Sequence, residues 1–166
     1  MAKKTKLEPQ GETANTIIGI ATIHRDFRLV HFVNQNLGIS LSTEEDLPVY
    51  NSKTESLNTF PFFLYHHPDL RTDFCLMANQ NEGVVMIPSL KQINYFLFLF
   101  GAAYKNHVDS MVAQLRKIQG VQAALVIQPS SIKELPGILE DLELHRVEIQ
   151  KKIEDQKVKL NKGNVE

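Results

Sequence analysis

His66 and His67 stand side by side with Asp69 two positions on, the densest group of metal-capable side chains in the chain. Adjacent residues of a strand point to opposite faces, so both imidazoles reach one ion only where the strand has already ended. A tetrahedral zinc site needs more partners than a single cysteine and scattered histidines supply, so the pair reads as turn decoration, and no metal or cofactor is expected. His24 and His31 lie seven apart and can share a helix face. They lack the close pairing of a metal-binding helix and read as solvated or hydrogen-bonded. Nucleophilic catalysis needs Cys75 or a serine beside a base and an orienting group. Cys75 sits inside the apolar run Phe74-Cys75-Leu76-Met77, where a thiol behaves as a small buried hydrophobe. No serine stands on a glycine-flanked elbow, and the glycines are scattered at turns rather than gathered into a phosphate cradle. An enzyme would require a polar cleft joining Asn94, Tyr95 and His66 or His67. No catalytic residue is assigned on this reading.

The elements that must position these residues are legible as alternating runs. Thr16 to Ile23 is rich in β-branched residues and reads as a strand. Asp26 can cap a helix through Leu37, with Leu29, Phe32, Val33 and Leu37 near one face and Gly38 as the stop. A short extended piece, Ile39 to Thr43, precedes a polar loop at Thr54 to Asn58. Three hydrophobic runs follow, Phe60 to His66, Asp73 to Asn79 and Gly83 to Ile87. Pro, Asp, Asn and Gly punctuate them into an antiparallel meander with one buried and one wet face. Asn106 can cap a helix carrying Val108, Met111, Val112, Leu115 and Ile118 on one stripe, ended by Gly120. Val121 to Ile127 reads as a further strand, placed at the sheet centre because it carries no charge. From Pro136 the chain becomes a charged helix. Its acidic residues Glu140, Asp141 and Glu143 come early and Lys157, Lys159 and Lys162 late, an order that complements the helix dipole.

Between these elements, a polar, proline-opened segment runs into an aromatic and aliphatic block, Ile87-Pro88-Ser89-Leu90-Lys91-Gln92-Ile93-Asn94-Tyr95-Phe96-Leu97-Phe98-Leu99-Phe100-Gly101. Pro88 suits the first position of a helix, and Ile93, Phe96, Leu97, Phe100 and Tyr104 recur at helical spacing, so a helix is expected over 93–104. Tyr-Phe-Leu-Phe-Leu-Phe also has strong β-propensity, which keeps a buried strand as the competing reading. If helical, Tyr95, Phe98, Leu99 and Ala102 form a second apolar side that a single sheet face cannot cover. Those four are the candidate interaction surface.

The spacing of this segment resembles the signature of the IPExxxVDY family, a bacterial group. Ile87 and Pro88 match the opening positions, Ile93 stands in for the valine and Tyr95 matches the closing tyrosine. Ser89 replaces the motif glutamate and Asn94 the aspartate. Neither a hydroxyl nor an amide exchanges a proton unaided near neutral pH, so a structural role for the motif is favoured over a catalytic one. The resemblance carries no activity with it.

Composition bounds the rest. With 43% hydrophobic residues over 166 positions the chain can bury its own core as one domain. Eighteen basic against 19 acidic side chains leave no positive field for nucleic acid or anionic lipid. Lys3, Lys4 and Lys6 solubilise a flexible head over 1–12. The longest apolar block is too short for a bilayer, and the head is not followed by the apolar region of a signal peptide, so neither membrane nor export is expected. One cysteine suggests a reducing, cytoplasmic setting. The expected architecture is a single α+β domain over 13–157. It comprises an antiparallel sheet of about five strands and three to four helices mainly on one face, with a frayed tail over 158–166. The expected function is a non-enzymatic interaction protein that forms a homodimer or binds another protein through residues 93–104. The alternative is a binder of small apolar ligands, its pocket walled by Phe60, Phe62, Phe63, Tyr65, Phe96 and Phe98.

Overall fold

The structure is a computed structural model that describes residues 16–163. The head expected over 1–12 lies outside the described residues. Eight strands and three helices follow one another as β1 (Thr16–Thr22), α1 (Asp26–Leu37), β2 (Ser42–Asn51), β3 (Ser56–His67), β4 (Thr72–Ala78), β5 (Gln80–Asn81), β6 (Val84–Val85), β7 (Tyr95–Phe100), α2 (Val108–Arg116), β8 (Val121–Val126) and α3 (Leu135–Gly163). Six strands form one fully antiparallel sheet in the order β2-β3-β4-β7-β1-β8, and β5 with β6 make a separate two-stranded ribbon. This is an α+β fold.

The expected helix over 93–104 is a strand. β7 pairs with β4 on one side and β1 on the other, and every one of its six residues is buried. Its side chains alternate between two cores. Phe96, Phe98 and Phe100 point to one, Tyr95, Leu97 and Leu99 to the other. An unbroken apolar run satisfies helix and strand patterns alike, and here both sheet faces are covered, which is the environment such a run needs. Pro88 does open a helical turn, but it is one 3₁₀ turn, Pro88–Leu90, that ends before the apolar block begins. After Phe100 the chain turns away at Gly101, whose φ of 128° belongs to glycine; a Cβ there would meet Thr72 Oγ1 at 2.7 Å.

The expected wet face is absent. α1 and α2 cover one face, burying Leu29, Val30 and Val33 with Met111, Val112 and Leu115 against Ile18, Ile20, Phe63, Phe74 and Leu76. α3 covers the other, where Leu135, Ile138, Leu142 and Ile149 meet Leu47, Phe60, Phe62, Met77 and Phe98. α1 ends as its sequence directs, Gly38 taking φ 64° and donating its N–H to Asn34. Its start differs from expectation: Asp26 lies in the first turn and Arg25 at the cap. Where the sequence suggested fraying from 158, α3 stays helical to Gly163. Lys, Gln, Leu and Glu are good helix formers. Among the described residues no helix is long and apolar enough to cross a membrane.

Candidate functional site

The motif segment is fastened from within. Asn79, fully buried at the end of β4, donates through Nδ2 to the carbonyls of Leu90 (3.0 Å) and Ile93 (2.9 Å) and accepts at Oδ1 from the N–H of Ile87 (2.9 Å). Its backbone closes two more bonds, to Asn94 O and from Met86 N–H. A buried amide in an apolar setting is costly unless it is hydrogen-bonded, and here both Nδ2 protons and the Oδ1 oxygen have partners. Ile87 and Ile93 therefore plug the core under α3, while Ser89 faces solvent. Asn94 accepts from Thr22 N–H at 2.8 Å, where the β1–β8 register shifts past Gln122, and its own N–H reaches Ile20 O.

Tyr95 is buried and donates its hydroxyl to Asp26 Oδ1 at 2.5 Å, tying the centre of the sheet to the start of α1. Burial raises its pKa well above the ordinary phenol value, and the hydrogen bond to Asp26 adds to this, so the phenol stays protonated. Asn94, Tyr95 and His66 are not brought together. Tyr95 sits opposite Ala78 at one end of the β4–β7 pair, whereas His66 sits opposite Asp73, which faces Phe100 at the other end. Of the expected interaction surface, Tyr95, Phe98 and Leu99 are buried strand residues, and only Ala102, in the turn beyond, is exposed. That surface does not exist as expected.

The most organised charged cluster was not foreseen. Asp73 accepts from His66 Nδ1 at 2.5 Å and from Arg146, whose Nε lies 3.0 Å away and whose Nη2 also contacts the same carboxylate oxygen. The guanidinium rests 4.1 Å over the Phe100 ring, a cation–π contact at the seam between α3 and the sheet. An aspartate-oriented imidazole could act as a base, but a reaction also needs a nucleophile and a substrate pocket beside it. His67 is used separately, its Nδ1 accepting from the N–H groups of Asp69 and Leu70 in the β3–β4 turn. Among the described residues no group of three His, Cys, Asp or Glu is placed to hold a metal ion.

The two sheet edges differ sharply in chemistry. β2 carries Glu44, Glu45 and Asp46, a register shift between Glu44 and Leu47, and Pro48. α3 lies along it: buried His145 donates Nε2–H to Glu45 O at 2.7 Å, Asp141 accepts from Tyr50 N–H, and Lys152 pairs with Glu45. β8, at the opposite edge, reads Val-Gln-Ala-Ala-Leu-Val and carries no charge. It was expected at the centre; it pairs with β1 alone. Ile127 N–H donates to Ile17 O, and because antiparallel pairs alternate, the backbone groups of Ala124 and Val126 point away from β1. The Ala124 carbonyl accepts from Arg116 Nε at 2.9 Å, while the Leu125 and Val126 side chains are each 40% exposed. The uncharged run pointed to the sheet centre, because strand order is not readable from composition. No family model, curated protein or solved structure matches the chain.

Proposed function

We propose that the chain is a non-enzymatic interaction protein that pairs with a second copy of itself through β8. One observation carries this reading: a strand with the composition of a sheet centre stands at a sheet edge. Edge strands are ordinarily blunted by charged side chains, proline, bulges or covering elements; β2 combines three carboxylates, a proline, a register shift and a covering helix, where β8 has a register shift at its Val121 end and Arg116. A second copy suits this edge because an uncharged strand meets no like charge when it faces itself. β2 would set three carboxylates against three.

A two-fold antiparallel register with Leu125 opposite Leu125 of the other copy places Ala124 opposite Val126, and all four outward residues exchange backbone hydrogen bonds. Arg116 yields the Ala124 carbonyl to the incoming N–H. One strand pair covers little area, so the expected dimer is weak, with Kd of roughly 10–100 μM. Motif spacing supports placing the chain beside the IPExxxVDY group, with the motif acting as a fastening for the 87–94 loop. A single, buried Cys75 supports a reducing, cytoplasmic setting.

Sedimentation equilibrium of the full chain from low to high micromolar concentration tests the reading. Rising apparent mass for the natural chain, abolished in Leu125→Lys with its circular dichroism retained, is expected. A strict monomer throughout, or association unaffected by Leu125→Lys, overturns it.

A further inference from the structure

The aromatics expected to wall a ligand cavity fill the two cores instead, yet a hollow of about 290 Å³ lies elsewhere, between the end of α1, β4 and α2. Ile39, Phe74 and Met111 are buried and form its floor, with Leu37 beside them. Tyr104, His107, Ser110 and Gln114 surround the mouth. The spacing of His107, Ser110, Met111 and Gln114 puts them on one face of the first two turns of α2, so a single element supplies both floor and rim. The Tyr104 hydroxyl, Ser110 hydroxyl and Gln114 amide make no side-chain hydrogen bond among the described residues. A polar rim of unpaired donors and acceptors over an apolar, aromatic floor is the arrangement that fixes small ligands.

The lining defines what fits. It contains no Lys, Arg, Asp or Glu, and its one basic side chain, His107, stands at the exposed mouth, so the floor offers a charged ligand no ion partner. Phe74 and Tyr104 stand edge to face with centroids 5.1 Å apart, a geometry that a further ring can extend. Met111 adapts to the shape of an entering ring. An apolar cavity of about 150 Å³ accommodates benzene, so roughly twice that space admits a fused bicycle. We propose that this hollow is a binding site for a neutral, one- or two-ring aromatic molecule bearing a single hydroxyl or N–H, with the ring on Phe74 and Met111 and the polar group at Tyr104, Ser110 and Gln114. Burial, with Tyr65 nearby, holds the Tyr104 phenol in its protonated, donating form. The site is independent of pairing at β8.

Two-dimensional ¹H–¹⁵N spectra of the full chain, titrated with indole, phenol and benzoate, test it. Indole should shift the amides of Ile39, Phe74 and Met111 saturably. Ser110→Trp, a substitution at an exposed helix position, should weaken this at least tenfold, and Tyr104→Phe should weaken phenol more than indole. Leu125→Lys should bind indole as the natural chain does, separating this site from the edge. Shifts that avoid these amides, binding unchanged in Ser110→Trp, or benzoate binding as well as indole would overturn the proposal.

Discussion

The sheet ends in two strands that solve, and decline to solve, the same problem. β2 has ten residues, three consecutive acidic side chains, a proline, an irregular register and a helix lying along it. β8 has six uncharged residues, a register shift at one end and a single arginine across one outward carbonyl. An unpaired row of backbone donors and acceptors invites a further strand, so a protein that must stay alone protects both edges. The stronger protection of β2 is what supports the proposal that pairing is confined to β8 and, being confined, closes at two copies.

The largest way to disturb this contrast is to loosen α3 on the guarded side. Arg146→Ala leaves the Asp73 carboxylate partly buried beside Phe100 without its guanidinium, and should cost about 3 kcal/mol in urea unfolding. His145→Ala removes a buried hydrogen bond to Glu45 and an edge-to-face contact with Phe62, with an expected loss of about 2 kcal/mol by the same measurement.

Changes on the open side should leave folding nearly untouched and move association instead. Leu125→Lys puts a charge on the uncharged β8, set against its own copy across the two-fold, and should raise the dimer Kd at least tenfold, about 1.4 kcal/mol. Arg116→Ala should act in the opposite direction, tightening the dimer a few-fold because the Ala124 carbonyl no longer has a competing donor. A weaker dimer in Arg116→Ala would show that the arginine supports the edge rather than guarding it.

The smallest effect belongs to the exposed pair on β2. The hydrogen bond from Lys152 holds the Glu45 carboxyl below its ordinary value of 4.5. A depressed carboxyl gives stability that is present above its unfolded value and is lost as pH falls through the folded one. The pair is fully exposed and screened, so Glu45→Gln should flatten the acid limb of the stability profile only slightly, and the difference should vanish in high salt.

Much of the architecture was legible because period and punctuation agree. β1, α1 with its Gly38 stop and the β3–β4 turn follow from local chemistry, as does the existence of α2, which ends at Arg116 rather than at Gly120. The placement of the two uncharged strands did not follow. β7 was expected as an exposed helical face and lies at the middle of the sheet; β8 was expected at the middle and lies at the rim. Apolar content reports that a segment is to be covered, and says nothing about which neighbour covers it. Long-range bonds were equally hidden. Tyr95 with Asp26, and Arg146 with Asp73, are separated by 69 and 73 positions, and nothing local marks either pair. Asn79 was legible only as a strand end. Its buried amide makes sense once the loop that it fastens is seen around it.

Amide hydrogen exchange at β8, followed as a function of protein concentration, tests the edge-pairing claim most directly. The amides of Leu125 and Ile127 point to β1 and should be protected at every concentration. Those of Ala124 and Val126 point outward, and their protection should rise with concentration in step with dimer formation and stay low in Leu125→Lys. Exchange of Ala124 and Val126 that is independent of concentration, in a chain that does associate, would contradict pairing through this edge.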